Sequence, residues 1–121
     1  EYCILMSGVD ERQHRLYFIY VQDRQSLDKI QVKELTKADR IAIYKQLDTC
    51  VTFLNSHYIY HQDLHVGNVI VQLNPVVKVW LIDFEKAVIS DEQDIIRELF
   101  DQSLLHSYLT ILDLDCSDVN I

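Results

Sequence analysis

Two short segments, His61-Gln62-Asp63-Leu64-His65-Val66-Gly67-Asn68 and Leu81-Ile82-Asp83-Phe84-Glu85-Lys86-Ala87, gather carboxylate and carboxamide oxygens in a small part of the chain. Moving a phosphoryl group asks little covalent work of a protein. A carboxylate orients the attacking hydroxyl and receives its proton, while oxygen ligands hold magnesium against the phosphates. Asp63 can take the first part, and Asn68 with Asp83 the second, because Mg²⁺ is a hard cation that prefers oxygen. The same three residues also suit a plainer role as polar turn residues beside a hairpin. A third reading uses the four-residue recurrence of His57, His61 and His65, which with Asp63 could suit a zinc hydrolase. A helix ending near Tyr58 would separate those rings, and no Cys or His pair elsewhere closes such a site.

The elements that must position these groups can be read from periodicity. From Ala38 to Tyr58 the apolar positions Ile41, Tyr44, Leu47, Val51, Leu54 and Tyr58 recur at spacings of three and four, the stripe of a core-facing helix. Thr36 followed by Asp39 resembles a capping box, so the helix is expected to start near Lys37. Asp63 then falls in the loop after this helix. Residues 69–73 and 76–82 are β-branched runs joined by Asn74-Pro75, a turn dipeptide, and predict a hairpin. That hairpin would return Asp83 to the end where Asn68 begins, with Asp63 facing both.

Upstream, residues 2–6 and 16–21 are aromatic and aliphatic runs around the polar stretch Asp10 to Arg15, which predicts another hairpin. Tyr17, Phe18 and Tyr20 are read as its core residues rather than as a stacking platform. Downstream, Ser90 with Gln93 suggests a second capping box. Ile95, Ile96, Leu99, Phe100, Leu104 and Leu105 would then supply the apolar face of a helix reaching Ile111. The polar tail from Asp113 is expected to fray and to be solvated. The fold class is α+β, mainly helical with two short β-hairpins.

Composition narrows the partners. The 121 residues fit one compact domain, 49% hydrophobic and 25% charged, as in ordinary globular proteins. Nineteen acidic against eleven basic residues give a net charge of −8, which argues against nucleic acid and anionic membranes and would suit a cationic acceptor. Cys3, Cys50 and Cys116 form no CxxC pair, so a reducing, cytoplasmic compartment fits, or the host cytosol for an effector or viral protein. No apolar run approaches the ~20 residues of a membrane span. The chain opens on Glu1 with no initiator Met or signal segment, as an excerpt of a longer protein would.

His61-x-Asp63, four residues and Asn68, followed by a hydrophobic strand and Asp83-Phe84, resembles the catalytic loop and metal-binding segment of the protein-kinase-like superfamily. Ordinary Ser/Thr kinases favour Lys two residues after the Asp and Gly after the Phe, whereas this chain has His65 and Glu85. HxDLHxGN with IDFExA looks instead like the atypical branch: aminoglycoside and choline phosphotransferases, lipopolysaccharide core kinases, and small bacterial or viral kinases, with RIO-type kinases nearby. The resemblance implies a kinase-like C-terminal lobe using ATP, Mg²⁺ and a hydroxyl-bearing acceptor, protein or small molecule. Residue by residue it makes Asp63 the catalytic carboxylate, Asn68 and Asp83 the metal ligands, and His65 a phosphate-side contact. His61 and Phe84 become internal packing residues. Tyr20 becomes the gatekeeper, Val21, Gln22 and Asp23 the adenine-facing hinge, and Ile70 and Ile82 the cleft lining. An Asp early in the following helix would bond the catalytic-loop backbone, with Asp94 the first choice and Asp91 the competitor. Glu85 is either a solvated substitute for glycine or a group near a second metal.

The resemblance spans residues 2–105, with 1–23 as the end of an N-lobe plus hinge and 24–121 as the C-lobe. A complete kinase would place a Gly-rich loop, a strand Lys and a helix Glu before residue 2. Their positioning of ATP supplies much of the catalysis. The chain alone is therefore expected to be inactive or feeble unless a further segment or partner supplies the N-lobe. Ten residues separate Asp83 from Asp94, too few for a phosphorylation-controlled activation loop. Two functions follow: an atypical phosphotransferase, or a degenerate lobe kept as an interaction or regulatory module.

Overall fold

The computed structural model describes residues 24–120, together with the backbone of two short strands, β1 (Gly8–Asp10) and β2 (Arg15–Tyr17). These two pair antiparallel, Gly8 opposite Tyr17 and Asp10 opposite Arg15. The upstream hairpin thus has its first described strand at 8–10. Residues 2–6, Tyr20 and the Val21–Asp23 hinge lie outside the described residues.

Helix α1 (Lys37–Ser56) begins where its cap dictates, the Thr36 hydroxyl accepting the Asp39 N–H at 3.1 Å. It buries Ile43, Tyr44, Leu47, Cys50, Val51 and Leu54, while Ile41 is half-buried. Tyr58 lies beyond the helix and is exposed, because it takes the left-handed conformation (φ 60°) that ends the helix. Glycine usually fills that position, but the chain has only two glycines.

Strand β3 (Gln25–Ser26) leads into two single 3₁₀ turns, Leu27–Lys29 and Val32–Glu34, which no sequence periodicity announces. After α1 come β4 (Ile59–Tyr60), β5 (Val69–Gln72), β6 (Lys78–Leu81) and β7 (Val88–Ile89). The β5–β6 hairpin forms as expected, Val69 opposite Leu81 and Ile70 opposite Trp80, with a cis Asn74-Pro75 peptide in its turn. β3 adds to the other edge of β5, giving the order β3-β5-β6, and β4 pairs separately with β7. Val69, Val71, Val79 and Leu81 are buried in the main core with the apolar face of α1. Burial of each such side chain contributes about 1.5–3 kcal/mol.

Helix α2 (Ile95–Ile111) departs from expectation in two ways. Its cap is Asp94, whose carboxylate accepts the Arg97 N–H at 3.1 Å, whereas Ser90 only meets the Glu92 N–H at 3.4 Å. Its inward face is also rotated. Ile95, Ile96, Leu99 and Phe100 are exposed, Ile96 by 81%, while Asp101, Leu105, Tyr108 and Leu109 are buried. The buried stripe starts with an aspartate, so a reading that follows apolar residues alone selects the wrong face.

Residues 113–120 pack back on the helices, contrary to the expected fraying. Asp113 (φ 53°) ends α2 in a left-handed turn, in which Leu114 N–H reaches Leu109 O at 2.7 Å and Asp113 N–H reaches Thr110 O at 3.1 Å. Arg40 of α1 donates to Leu112 O (3.0 Å) and Asp113 O (2.8 Å), and Lys37 pairs with Asp118 at 2.8 Å. Leu114 and Val119 then close over the core. The architecture is α+β, two helices against small antiparallel sheets, as a small kinase-like C-lobe requires.

Candidate active site

The loop between β4 and β5 is held by its own histidine. The Asp63 N–H donates to His61 Nδ1 at 3.1 Å, so the ring proton resides on Nε2, which donates to Ile82 O at 2.9 Å. His61 is buried and packs edge-on to Phe84, centroids 4.7 Å apart. One imidazole therefore joins the Asp63 loop to the segment after β6. The Ile82 N–H adds a second tie, donating to Asn68 O at 3.0 Å. Asp83 is the next residue, so Asn68 and Asp83 emerge from the same end of the hairpin.

Asn68 is buried and directs its amide nitrogen at Asp63, 2.9 Å from the backbone oxygen and 3.2 Å from Oδ2. With Nδ2 so engaged, Oδ1 is the Asn68 atom that could serve a cation. One carboxamide oxygen and the exposed Asp83 carboxylate form a set that fits Mg²⁺, which commonly takes one or two protein oxygens and fills its octahedron with phosphate oxygens and water. Among the described residues no group of three or more His, Cys, Asp or Glu could hold a metal. His57, His61 and His65 are engaged separately: His57 Nδ1 lies 2.9 Å from Phe53 O, and His61 is held as described. His65 Nδ1 accepts the Gly67 N–H at 3.1 Å. The His65 Nε2 stands 3.2 Å from Asn68 Nδ2 and 3.7 Å from Asp63 Oδ1. A Cβ on Gly67 would come within 3.0 Å of the His65 ring, so glycine here permits that ring position.

The backbone of the site is strained at two points, Gln62 (φ 68°) and Asp83 (φ 60°), conformations that cost a non-glycine residue of order 1 kcal/mol or more. At Gln62 the compensation is Asp101, in the middle of α2. Its buried carboxylate accepts the His61 N–H (2.9 Å), the Gln62 N–H (2.9 Å), Gln62 Nε2 (3.0 Å) and Asn55 Nδ2 (3.1 Å). The residue that bonds the loop backbone is therefore Asp101, two turns beyond Asp94. Asp94 instead caps the helix, and its N–H donates to the Tyr60 hydroxyl oxygen at 2.9 Å. A buried carboxylate needs several donors, and the folded loop together with Asn55 of α1 supplies them. The one sequence signal was an aspartate in the buried register of α2. Tyr108, one helical turn beyond Leu104, donates its hydroxyl to Leu64 O at 2.6 Å and fixes the loop from below.

Ile70 and Ile82 are half-buried. Ile70 lies on the face of β5 opposite the core, beside Trp80, whose ring carries the Arg24 guanidinium 3.8 Å above it. A surface groove lined by Gln25, Ile30, Val71, Leu73 and Asn74 shares no residue with this site. Glu85 and Lys86 occupy the tip of a turn closed by Ala87 N–H to Phe84 O at 3.0 Å. Lys86 Nζ stands 4.0 Å from Asp63 Oδ1.

Fold and loop geometry are those of a small kinase-like C-lobe. The comparisons with known proteins specify it further: residues 4–113 match the lipopolysaccharide kinase (Kdo/WaaP) family, and the chain belongs to that family. It is also similar to the dual specificity protein kinase zak2 of Dictyostelium discoideum, 29% identical over 85 residues, which is 70% of this chain but 12% of that protein. Among the described residues, no helix is long and apolar enough to cross a membrane.

Proposed function

We propose that this chain forms the catalytic lobe of an ATP- and Mg²⁺-dependent phosphotransferase with a hydroxyl-bearing acceptor. The observation that carries this reading is the Asn68 amide held on Asp63 at 3.2 Å, at the hairpin end from which Asp83 emerges. Asp63 orients the acceptor hydroxyl and takes its proton. Asn68 Oδ1 and the Asp83 carboxylate hold Mg²⁺, which when bound supplies positive charge for the phosphate oxygens. His65 contacts the phosphate side, and Ile70 and Ile82 line the nucleotide cleft. Val21, Gln22 and Asp23 form the hinge in this reading, with residues 1–23 as the end of an N-lobe and 24–121 as the C-lobe. The acceptor is a protein or a small molecule, in a reducing cytoplasmic setting.

The test is Mg²⁺-dependent ATP turnover by the whole protein, or by this chain mixed with a partner supplying the N-lobe. Asp63→Asn should lower turnover by at least about 100-fold, the usual contribution of a positioned proton acceptor, and Asp83→Asn should lower it by weakening the hold on Mg²⁺. No turnover by the complete assembly, or turnover indifferent to both substitutions, overturns the proposal and favours an interaction module.

A further inference from the structure

Ordinary kinases carry a lysine two residues after the catalytic aspartate, and this chain has His65 there. A cation from the second loop nevertheless stands near the same carboxylate. Lys86 lies on the turn after Asp83, with its ammonium 4.0 Å from Asp63 Oδ1. Among the described residues, no other Lys or Arg makes an ion pair with Asp63. We propose that Lys86 is the phosphate-clamping residue of this site, supplying from the second loop the positive charge that the first loop lacks. The inference rests on the phosphotransferase reading above.

The stability contribution of the pair does not account for this placement. Lys86 is 68% exposed, and an exposed pair at such a distance contributes next to nothing to folding. Its backbone, by contrast, is held in place: the turn is closed by the Ala87 N–H, preceded by the left-handed Asp83, and fastened to the first loop through His61 and Phe84. A rigid base under a flexible stem with three rotatable donors suits a group that must follow a moving charge. Before transfer, Asp63 holds the ammonium beside the point of reaction. During transfer, the acceptor oxygen bonds to the γ-phosphorus and its proton goes to Asp63. The bond from the γ-phosphorus to the bridging oxygen breaks, and its electron pair leaves on ADP. Negative charge on the transferring phosphoryl oxygens then draws the ammonium away from a carboxylate that is becoming neutral. Protonation of Asp63 and clamping by Lys86 thus favour each other. Arg97 cannot substitute, since its guanidinium is held by Asp94 at 3.2 Å and faces Gln62.

The experiment measures binding of Mg·ADP to the whole protein with and without aluminium fluoride, a mimic of the transferring phosphoryl group, alongside ATP turnover. Lys86→Met should leave the Mg·ADP affinity within about twofold. It should remove most of the extra affinity conferred by aluminium fluoride and lower kcat on the order of 100-fold, as loss of one preorganised charge-stabilising group does. Lys86→Arg should recover a large part of both. An aluminium fluoride increment unchanged in Lys86→Met, while Asp63→Asn abolishes turnover, overturns the role of Lys86 alone. A wild-type protein that forms no aluminium fluoride complex and turns over no ATP refutes both proposals. Equal loss of Mg·ADP affinity and kcat in Lys86→Met, with a lowered thermal midpoint, marks a structural role and also overturns the inference.

Discussion

Replacing Asp101 tests how this fold holds its loop. The carboxylate is wholly buried and accepts four hydrogen bonds from three residues, Asn55, His61 and Gln62, on α1 and the catalytic loop. Asp101→Ala strands the His61 N–H and one of the two Asn55 Nδ2 hydrogens, the other staying on Ile59 O, at about 1–3 kcal/mol each. It also removes the groups that hold Gln62 at positive φ. A loss of roughly 3–5 kcal/mol follows, in line with breaking a buried charged network. That is a large part of the roughly 5–15 kcal/mol available to a domain. Asp101→Asn is the sharper perturbation because volume is kept. Its one oxygen can serve two donors, while its NH₂ faces the others, giving a loss of about 2–4 kcal/mol. Urea denaturation should show a lower midpoint at unchanged slope, and hydrogen exchange should accelerate at the His61 and Gln62 amides. An Asp101→Asn protein within about 0.5 kcal/mol of wild type, with those amides still protected, would refute the argument.

Three further outcomes follow from the same structure. Tyr108→Phe should destabilise by about 1–3 kcal/mol by leaving the Leu64 carbonyl unpaired in the core, read by urea denaturation. Burial holds the Tyr108 phenol well above its ordinary range, so the unfolded chain loses this proton first. Stability should therefore fall as pH rises past about 10, and Tyr108→Phe should lessen that fall. In the tail, the Lys37 hydrogen bond and then the Asp115 N–H hold Asp118 below its ordinary value, and Asp118 holds Lys37 above its own. The contribution of Asp118 is present above its unfolded value near 4 and disappears as pH falls through the lower folded one. That of Lys37 is complete below about 10.4 and is lost as pH rises through its higher folded value. NMR titration should find the Asp118 midpoint raised in Lys37→Gln; an unmoved midpoint refutes the pairing.

What could be read from the chain was whatever local chemistry repeats. The α1 start was visible because the Thr36 side chain caps the helix on the Asp39 N–H, half of the expected capping box, and β5–β6 because β-branched runs flank Asn74-Pro75. Where the chain stops turning was hidden. Tyr58 and Asp113 both end helices in left-handed conformations without glycine, so the usual stop signal was missing. The face of α2 was misread because its buried register opens on Asp101, a charge whose partners lie 39 to 46 positions away. The same long separation explains why Asp94, nearer the expected position, attracted the wrong role. The tail was read as solvated because its acidic residues looked unpaired, yet Lys37 and Arg40, far upstream, tie it down. Lys86 carried no signal at all. Its relation to Asp63 exists only once two loops are joined through a histidine.

The Asp101 carboxylate also sets the smallest portable unit of this site. Eight consecutive residues, HQDLHVGN, spell the motif, but on their own they cannot keep Gln62 in its left-handed conformation. Grafting the loop into another scaffold would transfer the letters without the geometry. A transplant would have to bring α2 with Asp101 and Tyr108, the end of α1 with Asn55, and the strand after which Ile82 meets His61. Recombination within the family should accordingly keep residues 55–108 together, and a breakpoint between the motif and α2 should give a folded chain with a slack loop.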